Sequence, residues 1–524
     1  MATRGAVAQP VPHLLWPQAR AFCLIPALAT VVALAFALHS AFGIIWPDEI
    51  YQTVEPAQRV VHGYGFTSWE LHDGLRSWLG PAAFMPAVEI AKLLGITTGL
   101  GVQTVVKVFL ICGAAVTAYA TTRLTQAFER PGATLVAAAA VATSPLLLVY
   151  DLHSFAEVVV LPMVVGAFAW VRSDRPRAAL LAGITIGLAA AIRVQVLVMV
   201  VVIAVQLWHA ERGDRSRRRL RGFLVGLSGP VVVAGFLDWA TWGYPFASYY
   251  RYLSFNLTSA ASREYGTEPA GFYLDHFWRT AGPVVAVVLL GGFIVGARIA
   301  RWEACAAVLY VLAHALVPHK ELRFLLPAVP LVIVVAAVGC AEVGRIASRR
   351  WPAVRAVPDG AAAGRGFPEP TLGAARFAVL LVVVGVAGLV GAHDVRTMDT
   401  GSLTGGIASS SSSEWGAEQS TNVLLSRAGA RSDVCGVLLA SEAPIWTGGF
   451  SYLQRDIGLY APGDLSIPSD GTLPGQINAI IAPTTSAARA PFVAVTSDGP
   501  QTLYVRPGGC TAAPAGYTRT FPKQ

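Results

Sequence analysis

The chain has 524 residues, 54% of them hydrophobic and only 13% charged, with a mean hydropathy of +0.55. Soluble domains carry about 25% charged residues, so a wholly soluble protein and a disordered one are both excluded. The net charge of +8 does not point to nucleic acid. Residues 392–524 hold 8 Lys and Arg against 10 Asp and Glu, a balance of −2, so the remaining +10 lies among apolar stretches, where Arg is a topology signal.

The first apolar run, 20–42, is too long for a signal-peptide core and is followed by no A-x-A cleavage signal, so it reads as a first transmembrane helix. Further runs follow near 102–121, 134–149, 155–171, 178–192, 194–208, 222–241, 281–297, 303–317, 324–341 and 377–392. Each approaches the roughly 20 residues a helix needs to cross a bilayer. The sum is about eleven spans. With the N-terminus (1–19) in the cytoplasm, the Arg clusters at 123–130, 172–177, 212–221, 298–301 and 345–350 all fall inside, as the positive-inside rule requires. The segment 82–98 carries Glu89 and Lys92; counting it as a span inverts every later cluster, so it belongs in the interface.

This map puts 43–101, 150–154, 242–280, 318–323 and the tail on the outer side. The expected organisation is a membrane domain over 20–392, with 43–101 its first outer loop, then a Gly/Ser-rich linker over 393–431 containing Ser409 to Ser413. A small α/β domain over 432–524 follows, with strand-like runs at 434–440 and 492–496 and a hairpin turn at Ser497-Asp498-Gly499. Cys435 and Cys510 are its only cysteines and are expected to form a disulfide, each bordering a strand so that adjacent strands bring them together. This outer domain reads as an acceptor-side accessory.

The chemistry sits in the outer loops. Trp46-Pro47-Asp48-Glu49 places two carboxylates where the first span emerges; Pro and acids also suit a helix start, but a carboxylate here is positioned to take a proton from an attacking hydroxyl. Trp69, Glu70 and Arg76 add the aromatic and polar groups of a sugar or lipid-headgroup site. Asp151 and His153 follow in the second outer turn, Arg193 and Gln195 between two apolar runs, and Asn256 and Tyr265 in the third loop. The fourth turn gathers His319, Lys320 and Arg323 in a chain with only 4 Lys, a cluster suited to a phosphate at membrane depth.

Taken in order, Pro47-Asp48-Glu49 with Gln52, Trp69-Glu70, Leu75-Arg76-Ser77 with Pro81, Phe255-Asn256, Tyr265-Gly266-Thr267 with Pro269, and His319-Lys320-Glu321 with Arg323-Phe324 resemble glycosyltransferase family 22 over roughly residues 40–340. The chain departs from that pattern at Trp46 and Ala270. The resemblance implies the GT-C fold and an inverting transfer of mannose from a polyprenyl-phosphate donor to a glycolipid or polysaccharide acceptor outside a bacterial cell membrane. It implies Asp48 as general base with Glu49 supporting it. His319, Lys320 and Arg323 would hold the departing phosphate, with Arg76 and Arg193 behind them. Trp69, Glu70, Asp151, Asn256 and Tyr265 would contact substrate. No cofactor is required, and no ligand cluster demands a divalent metal. Other sugars or protein acceptors remain open, and a lipid-glycan transporter is the alternative of a different class; a transporter should carry ionisable residues near mid-helix or show interrupted paired segments, whereas most charges here lie at span ends or in turns, with Lys107 an exception.

Overall fold

The computed structural model describes residues 16–38, 41–209, 214–258, 261–281, 283–350, 418–461, 473, 475–486 and 491–510. Every apolar run from 20–42 to 324–341 holds a helix: Trp16–Ala37, Gly99–Gln126, Pro131–Thr143, Ala156–Val171, Ala178–Ile192, Leu197–His209, Asp214–Trp242, Pro283–Gly296, Arg301–Ala315 and Val329–Arg350. The expected span at 377–392 lies outside the described residues. Gly99–Gln126, Ser216–Trp242 and Leu322–Ala347 are each long and apolar enough to cross a membrane unaided. Two breaks in the chain, at Ser144 and at Arg193, shorten some of the others. Pro145 lacks an N–H and pushes Ser144 into extended geometry (ψ 113°), so Pro131–Thr143 ends there and Pro145–Tyr150 restarts the helix. Arg193 is likewise extended (φ −131°, ψ 103°) between Ala178–Ile192 and the 3₁₀ turn Val194–Val196.

Glycines let two helix pairs approach until backbones touch. A Cβ at Gly183 would lie 2.1 Å from the Phe223 carbonyl oxygen, and one at Gly226 2.1 Å from that of Leu180. In the other pair, a Cβ at Gly296 would fall 1.9 Å from the Val335 oxygen, and one at Gly339 1.8 Å from that of Gly292. Where lipid removes the hydrophobic drive between helices, such close approach supplies the dispersion contact that holds them.

The segment 82–98 forms the helix Met85–Leu93. It buries Ala87, Val88 and Ala91 and exposes Ile90 and Leu93.

The tail carries a five-stranded sheet of order β2-β1-β3-β5-β4, with β1 Gly436–Leu439, β2 Gly458–Tyr460, β3 Ala479–Pro483, β4 Val493–Asp498 and β5 Gln501–Val505. β1 runs parallel to β2 and β3, while β5 pairs antiparallel with β3 and β4. The β4–β5 hairpin turns at Gly499, whose φ of 48° favours glycine, within the expected Ser497-Asp498-Gly499 turn. Cys435 and Cys510 are bonded, with Cα atoms 6.0 Å apart. The expected route to that bond is corrected: β3 lies between β1 and β5, and the chain past β5 returns to the start of β1.

A second correction concerns the domain boundary. Residues 419–429, read as linker, form the helix Gln419–Gly429, whose Leu424, Leu425 and Ala428 are buried against Val437, Leu439, Leu503 and Val505. The same core takes in Ile44, Ile50, Tyr51 and Phe66 from the first loop, so the tail and the membrane domain share one apolar interior.

Gly296→Ala should lower thermal stability by about 1–3 kcal/mol through overpacking. Gly291→Ala, on the same helix with open space around it, should be neutral or slightly stabilising through helix propensity. Melting of the two purified variants checks the pair; equal effects would sink the close-packing account.

Candidate active site

Pro47 starts a helical turn in which its carbonyl accepts from Ile50 N (3.0 Å) and Tyr51 N (2.9 Å). A π-helical stretch, Ile50–Val54, leads into the helix Glu55–His62, closed by Gly63 at φ 84°. Single π turns are frequent at functional sites, and this one begins just after the two acids Asp48 and Glu49. Here the two adjacent acids diverge.

Glu49 turns inward and is 2% exposed. Its Oε1 accepts from Ile45 N and its Oε2 pairs with His153 Nδ1, both at 2.6 Å, while Ser154 Oγ donates to its carbonyl at 2.5 Å. Lys107, inside the helix Gly99–Gln126, donates Nζ to Leu152 O at 2.8 Å and braces the same loop. Both Glu49 oxygens are occupied in a dry setting, so its expected share in proton transfer is corrected to pinning residues 45–49 onto residues 152–154.

Asp48 turns outward, its side chain 31% exposed, and its Oδ2 accepts from Arg323 Nη2 at 2.6 Å. Its Oδ1 accepts no hydrogen bond among the described residues. Arg323 also grips Glu321, Nε to Oε2 at 2.6 Å and Nη2 to Oε1 at 2.8 Å, and Glu321 in turn meets His319 Nε2 at 3.0 Å. The guanidinium sits over the rings of Phe155 (4.7 Å) and Phe324 (5.2 Å). Burial pushes the Glu321 carboxyl up, but Arg323 and His319 override it and hold the group at about 2.

The other expected phosphate ligands differ in what they have left to offer. Lys320 donates Nζ to the carbonyls of Val317 (2.7 Å), Glu268 (2.8 Å) and Pro318 (3.4 Å), so it ties the fourth loop to the third, and burial lowers its pKa. Arg193 pairs with Glu157 at 2.8 Å, yet its Nε and Nη2 make no hydrogen bond among the described residues. Arg76 is held by Glu70 at 2.9 Å and lies 5.0 Å over the Tyr252 ring; Gln52 secures the other Glu70 oxygen at 2.6 Å. Burial raises the Glu70 pKa, and Arg76 pulls it back. Arg76, Ser77, Arg193, Gln195, Tyr249 and Tyr252 line one cleft.

Among the expected substrate contacts, Trp69 stacks on Tyr265 at 6.2 Å with planes 8° apart, and Tyr265 is 41% exposed. Asn256 Nδ2 donates to Tyr252 O at 2.9 Å and shapes its own helical turn. Asp151 is buried, and no described contact links it to Asp48 or the cleft. Sequence reasoning passed over Phe155, Tyr51 and Glu55. Nothing in one sequence marks an interior Phe as a guanidinium platform. Tyr51 and Glu55, four residues apart on one helix face, were a legible pair.

The packed helices with a short sheet domain define the GT-C class of membrane glycosyltransferase folds. ArnT from Cupriavidus metallidurans bound to undecaprenyl phosphate matches at a TM-score of 0.57 and 12% identity, over 96% of this chain and 99% of that one. The sequence model of the Alg9-like mannosyltransferase family matches residues 27–393, and the chain belongs to that family. GPI mannosyltransferase 3 of Yarrowia lipolytica is 28% identical over 302 residues, 56% of this chain and 57% of that protein. GPI mannosyltransferase 3 of Trypanosoma brucei brucei is 27% identical over 346 residues, 56% and 60% of the two chains. The chain therefore matches somewhat over half the length of these relatives.

Burial pushes the Asp151 carboxyl up to about 8 from an ordinary value of 3.8. The folded state then holds a proton that the unfolded chain releases, so this group costs stability progressively as pH rises from about 4 to 8. Asp151→Asn should flatten that decline. Melting temperatures at pH 5 and pH 8 check it; parallel declines in both proteins would exclude the assignment.

Proposed function

We propose that this protein transfers a mannosyl residue from a polyprenyl-phosphate donor to a hydroxyl of a glycolipid or polysaccharide, on the extracytoplasmic face of a bacterial cell membrane. The observation that carries this reading is Asp48, one oxygen fixed by Arg323 and the other open at a partly exposed site. In a single inverting displacement the acceptor oxygen bonds to the anomeric carbon as the bond from that carbon to the phosphate oxygen breaks. The acceptor proton passes to Asp48 Oδ1 and the polyprenyl phosphate leaves as an anion.

Charge building on the departing phosphate calls for cations in a water-poor cleft. Arg193 and Arg76 line the cleft and serve best, since each has one carboxylate partner, whereas Arg323 is shared between two carboxylates and Lys320 among three carbonyls. His319 borders the same network through Glu321, and the Trp69–Tyr265 stack offers a sugar ring an aromatic face. Family membership supports mannose, and the lipid named in the ArnT structure supports a polyprenyl-phosphate donor. The Arg distribution supports the outward-facing side.

Membranes containing the protein should move label from polyprenyl-phosphate-mannose, and not from a sugar nucleotide, to a lipid or polysaccharide fraction. Asp48→Asn should cut turnover roughly 10²- to 10⁴-fold at normal abundance, the usual contribution of a positioned base. Near-normal turnover in that variant would reject the base. Arg193→Ala should raise the donor KM about tenfold or more while leaving acceptor KM unchanged, as expected of a charge-assisted contact worth roughly 1.5–3 kcal/mol. An unaltered donor KM would remove Arg193 from the phosphate site.

A further inference from the structure

The Asp48 turn is held from two sides. Glu49 faces the membrane domain; Tyr51 and Glu55, four residues apart on one face, meet the C-terminal domain. The Tyr51 hydroxyl donates to the carbonyls of Pro444 and of Thr447, the latter at 2.9 Å. Glu55 is fully buried and accepts three backbone N–H groups: Phe66 (3.0 Å), Phe450 (3.0 Å) and Ser451 (2.7 Å). A Cβ on Gly449 would stand 2.9 Å from the Tyr51 oxygen and 3.2 Å from Glu55 Oε1, and that glycine has φ 54°, so the tail meets this pair at a position suited to glycine.

We infer that the C-terminal domain is a positioning element of the active site: by gripping Tyr51 and Glu55 it fixes the helical turn from which Asp48 projects. The domain does not depend on this grip to stay docked. Asn422 Nδ2 donates to Phe42 O (2.8 Å), Tyr452 OH donates to the same oxygen (3.0 Å), and Gln103 Nε2 donates to Ser451 Oγ (3.1 Å). The grip adds orientation. A reacting group misplaced by about 1 Å can lose 10²-fold in rate, so a turn held only by Glu49 should be slower without losing donor affinity. Neither Tyr51 nor Glu55 touches the proposed substrates; both act through Asp48.

The test uses the full chain in nanodiscs. Glu55→Ala strips the acceptor from three N–H groups, and Tyr51→Phe removes only the hydroxyl. Glu55→Gln is the conservative variant: its carbonyl oxygen keeps the donors Phe66 and Phe450, and only the bond from Ser451 N is lost. Hydrogen exchange in peptides covering 44–54 should speed up at least fivefold in Glu55→Ala and Tyr51→Phe and stay within twofold of wild type in Glu55→Gln. Turnover should fall about 10- to 100-fold in the first two, with donor KM within twofold. Unchanged exchange and turnover in both, at full abundance, would overturn the inference, as would a donor KM rising in step with lost turnover. The kinetic arm rests on the proposed transferase reading, and the exchange arm does not. A wild-type protein that moves no mannose would sink that reading while exchange alone still decides this one.

Discussion

Arg323 stands between Asp48, 275 residues away in sequence, and Glu321, two residues away, and the geometry of the site follows from that bridge. A guanidinium 3% exposed is costly to dehydrate, and two carboxylates with aromatic faces on either side are what offset the cost. The fork geometry matters as well as the charge. Arg323 meets Glu321 through two nitrogens and still reaches Asp48 with Nη2, which a lysine's single ammonium cannot do with the same directionality. The loop that carries Asp48 and the one that carries Arg323 are thereby tied together, with Asp48 at the exposed end.

The buried acids around that unit divide the labour. Glu49 satisfies a backbone N–H and His153; Glu55 satisfies three backbone N–H groups at the domain junction; Glu157 neutralises one edge of Arg193. Each is a buried polar group with partners, the condition under which burial is tolerable. Asp48 alone in this helical turn keeps a carboxylate oxygen open, so its chemical availability is a result of what its neighbours have consumed.

Cations sort by the same criterion. Sequence proximity favours His319, Lys320 and Arg323 as one phosphate-binding cluster. In three dimensions Lys320 closes a loop on carbonyls, Arg323 ties carboxylates, and the cleft instead faces Arg76 and Arg193, which come from different loops. Lys320 and Arg323 build the scaffold, and Arg76 and Arg193, far apart in sequence, line the cleft.

The sequence by itself determined the helical membrane character, ten of the helix positions, the C-terminal sheet, the cysteine pair and the list of loops that meet at the site. These follow from composition, from runs long enough for a bilayer and from Pro and Gly breaks, all of them local properties. Only the tertiary structure decided that Glu49 faces inward and Asp48 outward, because neighbouring helical positions point about 100° apart and the partners that settle which one is buried, His153 and Arg323, lie 104 and 275 residues away. It also decided that residues 419–429 are a packed helix, since an 11-residue segment of Gln, Ser, Thr and Asn with a few Leu shows its buried face only once the sheet is there to cover it. The tail's role was hidden for the same reason. Glu55 and Tyr51 are ordinary helix residues until a backbone some 390 residues later supplies the N–H and C=O groups they hold.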